Sequence, residues 1–169
     1  MDEAKFITLD NCLTILIYTD RSKSTNHMEL FTFYGGNYSS YIDYNGKKRN
    51  IKEGSAHLLE HYVCENTVSG DLLDNLRKYN VLSCNAGTSA FNTSYFFNTV
   101  CNFYECLDTF LDGIYNVSFT NEKLNKTKYA VLNEIRDSQN NEGRRIADIR
   151  DRTLFSNCMD NLGSEDSIN

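Results

Sequence analysis

His57-Leu58-Leu59-Glu60-His61 decides how this chain is read. Side chains four positions apart on a helix lie one turn above each other on the same face. If the segment is helical, two of the chain's three histidines reach the same point in space. Neutral imidazole is a good ligand for Zn²⁺, and a carboxylate that is not itself a ligand suits a general base acting on water beside the ion. Glu60 lies where such a base is needed. A histidine pair at this spacing also fits a plain solvated helix face, so the choice turns on a third ligand. Catalytic zinc sites use three protein ligands and keep one position open. The candidate is Glu134, in Tyr129-Ala130-Val131-Leu132-Asn133-Glu134-Ile135, whose helix must then fold back against the first.

Around this core the pattern alternates between strands and helices. Lys5 to Leu9 and Leu13 to Thr19 read as strands joined by a turn at Asp10-Asn11, and Met28 to Tyr34 as a third. The polar, glycine-containing stretch from Tyr38 to Asn50 reads as a loop. A helix over about 53–64 carries the histidine pair. Ser69 is the expected cap of a second helix reaching about Lys78, with Leu72, Leu73 and Leu76 on one face. Ser83 to Phe91 and Ser94 to Val100 read as strands joined at Asn92-Thr93. Phe103, Cys106, Leu107, Phe110, Leu111 and Ile114 form one broad apolar stripe, which marks a core-facing helix. Thr120 caps the helix that carries Glu134, with Glu122 favouring its positive end. A last helix over about 143–154 alternates in charge and reads largely as a solvated face. This order predicts one α+β domain over residues 1–169, with helices on one side of a mostly antiparallel sheet.

Composition narrows the function. The net charge of −6 argues against nucleic acid or an anionic membrane as partner. No apolar run approaches the length of a membrane span. The start, Met1-Asp2-Glu3-Ala4-Lys5, is not a secretory signal. Six cysteines occur without a C-x-x-C pair, so reduced thiols and a cytoplasmic location are expected.

The motif is the zinc-peptidase motif in inverted order, and its surroundings resemble the N-terminal part of the pitrilysin or insulin-degrading-enzyme family. Gly54-Ser55-Ala56 precedes it, as Gly-x-Ala does in that family. Asn85-Ala86-Gly87-Thr88-Ser89 is similar to the family's Asn-Ala-x-Thr strand, and Val131-Leu132-Asn133-Glu134-Ile135 to its Val-x-x-Glu-Ile helix. Leu162-Gly163-Ser164-Glu165-Asp166-Ser167-Ile168 resembles the Leu-Gly-Thr-x-x-x-Ile segment late in each family half. The resemblance implies zinc bound by His57, His61 and Glu134, with Glu60 as the base of a metalloendopeptidase. It also implies that Asn85, Ala86, Gly87 and Thr88 take up an extended peptide as an added strand. Family members carry two such halves, so a second half or partner subunit, in a hetero- or homodimer, is expected. By the same pattern, the chain is expected to lack the last helix and strand of its own half.

Two departures stand out. Many relatives carry a supporting glutamate seven residues before the ligand, where this chain has Thr127. His-Met-x-Phe-x-Gly-Thr is replaced by His61-Tyr62-Val63-Cys64-Glu65-Asn66-Thr67. Cys64, seven positions after His57, offers a thiolate that would close the metal site if it reached the ion, although a third helical turn points away. The competing reading is a non-catalytic peptide-binding or structural subunit that has kept the fold.

Overall fold

The computed structural model describes residues 3–155 and 162–169, so Cys158 lies outside the described residues. The first strands, β1 (Glu3–Thr8) and β2 (Thr14–Thr19), pair antiparallel as expected. They form a hairpin of their own. Its outer residues, including Phe6 and Tyr18, are exposed.

The central sheet contains β3 (Asn26–Thr32), β6 (Ser83–Thr88) and β7 (Thr93–Thr99). It is antiparallel, in the order β3-β7-β6. Among the described residues, one side of β6 is therefore an unpaired edge. The turn before β7 lies at Ser89–Asn92, earlier than the Asn92-Thr93 turn expected from the sequence: Ser89 N–H donates to Asn92 O at 2.8 Å, and Thr93 already belongs to the strand.

The 38–50 stretch is not a loop. It holds a short hairpin, β4 (Ser40–Ile42) and β5 (Lys48–Asn50). Asp43 builds its turn by accepting hydrogen bonds from the backbone N–H groups of Asn45 (2.9 Å) and Lys47 (3.0 Å), while Gly46 takes the left-handed φ of 75°. Asn-Gly is a strong hairpin-turn pair, but the polar strand residues on either side hid it.

Helices α1 (Ser55–Glu65), α2 (Leu72–Arg77) and α3 (Phe103–Tyr115) cover the sheet. Asp71, not Ser69, caps α2: its side chain accepts from Asp74 N at 2.8 Å. The Ser69 hydroxyl instead pairs with Thr67 and Asn75. The main core gathers Val63 and Cys64 of α1, Leu72 and Leu76 of α2, Phe97 of β7, and Cys106 and Phe110 of α3. The apolar stripe on α3 faces this core, as its spacing required.

Helix α4 (Asn121–Gln139) runs back along α1, and α5 (Glu142–Leu154) and α6 (Glu165–Ile168) follow. Thr120 caps α4 by accepting from Lys123 N. Tyr62 of α1, buried, fixes where α4 begins. Its hydroxyl accepts from Thr120 N at 2.9 Å and donates to Ser118 O at 3.0 Å, and its ring stacks on Phe119 at 4.9 Å. A second core of Val131, Leu132, Ile135, Leu162 and Ile168 holds α6 against α4, with Arg136 bridging to Glu165. The five described cysteines are free thiols, and no described helix is long and apolar enough to cross a membrane.

Candidate metal centre

The position of α1 is set at its N-terminus by Gly54, with φ 76°. A Cβ there would lie 2.6 Å from Leu162 O and 2.8 Å from Gly163 Cα, so the two glycine-containing segments meet backbone to backbone. That contact points the first turns of α1, and with them His57 and His61, toward the middle of α4.

His57 Nε2 and His61 Nε2 lie 3.2 Å apart, with the rings nearly perpendicular at 81°. One oxygen of Glu134, Oε2, lies 3.2 Å from His61 Nε2 and 3.5 Å from His57 Nε2. Ligands held at about 2.0–2.2 Å in tetrahedral array around zinc stand roughly 3.3–3.6 Å from one another. The triangle of 3.2, 3.2 and 3.5 Å is therefore nearly the face that three such ligands present. Among the described residues, this is the one His/Cys/Asp/Glu group able to hold a metal ion.

The electrostatics also fit a cation. Burial first, then the neighbouring His61 and Arg144, drive the His57 pKa down to about 4, against an upward pull from Glu134. His57 is thus the neutral imidazole that a metal requires. Its Nδ1 is buried without a hydrogen-bond partner among the described residues, while its Nε2 faces His61 and Glu134. Three convergent donors, one buried and neutral, are a donor set suited to Zn²⁺.

Glu60 is buried beside the group and outside it. Burial raises its pKa, opposed by a hydrogen bond that the Thr88 hydroxyl donates to Oε2 at 2.8 Å. Thr88 thus acts through its side chain, a contact that the sequence did not reveal. Asn85, Ala86, Gly87 and Thr88 of the edge strand line the same cleft of about 520 Å³, together with His57, Glu60, His61 and Glu134. Cys64 also reaches this cleft, but it packs in the main core and burial pushes its thiol far above the ordinary range. It is a packing residue, and the metal group does not include it.

The sequence profile named Insulinase (Peptidase family M16) matches residues 47–163. The chain belongs to this family. That match contains α1 with its histidine pair, the β6 edge and the Glu134 helix. A curated relative, the zinc protease YmfH of Bacillus subtilis, is 26% identical over 140 residues, which is 82% of this chain and 32% of the relative. Among solved structures, an M16-like peptidase from Alicyclobacillus acidocaldarius aligns with a TM-score of 0.89 at 22% identity, over 99% of this chain and 40% of that one. A protease from Helicobacter pylori aligns at 0.78 with 17% identity, over 99% of this chain and 40% of that one. Pitrilysin aligns at 0.75 with 18% identity, over 99% and 18%. The chain therefore has the M16 half-domain fold, and spans about a third of the length of the curated relative.

Proposed function

We propose that this chain is the metal-bearing half of a zinc-dependent endopeptidase that cleaves extended peptides. The observation that carries the reading is the triangle formed by His57, His61 and Glu134 with Glu60 beside it. Zinc in this position would make water a usable nucleophile near neutral pH and polarise the scissile carbonyl.

The chain's own residues supply the rest. Glu60 takes a proton from the attacking water and passes it to the leaving amine. Its raised pKa brings it closer to the working pH, which suits both tasks. The Thr88 hydroxyl holds one Glu60 oxygen, leaving the other to meet the water. The unpaired side of β6 takes the substrate as an added strand through main-chain hydrogen bonds, which fix the peptide without demanding one sequence. Gly87 has open space where a side chain would stand, so a peptide backbone can approach it closely. A second family-type half, from a partner subunit or a second copy of this chain, completes the substrate chamber.

The test is cleavage of a fluorogenic peptide library with and without a chelator, repeated with a co-encoded sister chain added. Cleavage that a chelator abolishes and zinc restores supports the reading. Chelator-insensitive cleavage, or none under any pairing, counts against it.

A further inference from the structure

Where the resemblance leads one to expect a supporting glutamate, the structure has Thr127, fully buried and engaged on both sides. Asn66 Nδ2 donates to the Thr127 hydroxyl at 3.1 Å, and that hydroxyl donates to Glu65 Oε2 at 3.0 Å. The other Glu65 oxygen, Oε1, faces His61 Nδ1 at 3.6 Å, one turn along the same helix. Asn66 is itself fixed, since its amide also donates to Tyr62 O at 3.1 Å. Two hydrogen bonds, from Asn66 to Thr127 and from Thr127 to Glu65, therefore anchor a carboxylate whose other oxygen stands beside His61.

His61 turns its Nε2 toward His57 and Glu134. In a neutral imidazole whose Nε2 is the ligating atom, the ring proton lies on Nδ1. Glu65 is the carboxylate facing that proton. Ligating histidines ordinarily donate their second N–H to such a partner, which sets the tautomer and the ring orientation.

We propose that Glu65 is the positioning residue of this metal centre, taking over from α1 the supporting role that the family places on α4, with Thr127 retained as its anchor. This rests on the metallopeptidase reading of the site. Because Thr127 is too short to reach the histidine, moving the carboxylate to position 65 and keeping a hydroxyl at 127 preserves the link between the two helices.

The test is zinc affinity, measured by chelator competition on the full chain, with thermal unfolding of the zinc-free protein recorded in parallel. Glu65→Ala should weaken zinc binding about 10- to 100-fold. Glu65→Gln, which keeps an acceptor oxygen, should lose less. In Glu65→Ala/Thr127→Glu the carboxylate returns through α4, and affinity should recover toward the wild-type value. Zinc affinity in Glu65→Ala within about twofold of wild type overturns the proposal. So does a loss that only tracks reduced thermal stability and is unchanged by Thr127→Glu. Wild-type protein that binds no zinc overturns the metal site as well, whereas wild-type binding with an indifferent Glu65 overturns this proposal alone.

Discussion

Glu134 Oε2 lies 3.2 Å from His61 Nε2, although two helices and two strands separate them along the chain. Nothing local produces that distance. It follows from Tyr62, whose hydroxyl holds the start of α4, and from Asn66 and Thr127, which join the helices further along. The helix that carries the histidines thus also carries Tyr62, which helps bring Glu134 to them.

Glu60→Gln should leave zinc bound and reduce kcat by about 10²- to 10⁴-fold, because the amide cannot accept the proton. Metal analysis beside a peptide-cleavage assay checks this. Loss of zinc in the variant would mean that Glu60 helps bind the ion rather than serving as base.

The Thr88 hydroxyl lowers the Glu60 pKa against the effect of burial. Thr88→Val removes that donor at nearly constant volume. The acid limb of the kcat/KM profile should then move to higher pH, with zinc content unchanged. An acid limb that stays in place would show that the hydrogen bond does not govern the base.

In zinc-free protein, His57 should make folding sensitive to acid. Its pKa falls from 6.5 to about 4 on folding, so the unfolded chain binds the proton more readily. Stability from this residue is complete above about pH 6.5 and lost progressively as pH falls toward 4. Urea unfolding across this range, with chelator present, should show wild type losing stability relative to His57→Leu. Parallel curves for the two proteins would contradict the assignment.

Gly54→Ala tests the backbone contact that aims α1. Position 54 has φ 76°, and the new methyl would meet Leu162 O at 2.6 Å. The combined cost of a left-handed alanine and overpacking is about 2–4 kcal/mol. Chemical denaturation measures it, and a change below about 0.5 kcal/mol would contradict a backbone contact this close.

The convergence of His57, His61 and Glu134 was legible in the sequence because helical spacing fixes the two histidines, and because the Glu134 segment has a recognisable pattern of its own. The layered antiparallel arrangement and the α3 stripe followed from periodicity. What stayed hidden depends on three-dimensional proximity or on short polar elements. The β4–β5 hairpin lacks the apolar alternation that identifies strands, leaving Asn45-Gly46 as its one signal. Asp71 and Ser69 are both good caps, and only the backbone path selects Asp71. Thr88 reads as a strand residue until Glu60 is seen beneath it. Thr127 reads as a missing carboxylate until Glu65 is found in reach of it. That last pairing had a visible clue, since Glu65 stands four residues after His61.

In the proposed site, two histidines and one distant carboxylate share a single zinc ion. The most direct measurement of this is the zinc content of the purified chain, by elemental analysis, in wild type and in Glu134→Ala. About one zinc per wild-type chain, with most of it lost in the still-folded variant, is the predicted result. Wild-type protein without zinc after incubation with the metal, or a Glu134→Ala chain that retains it fully, would contradict the account.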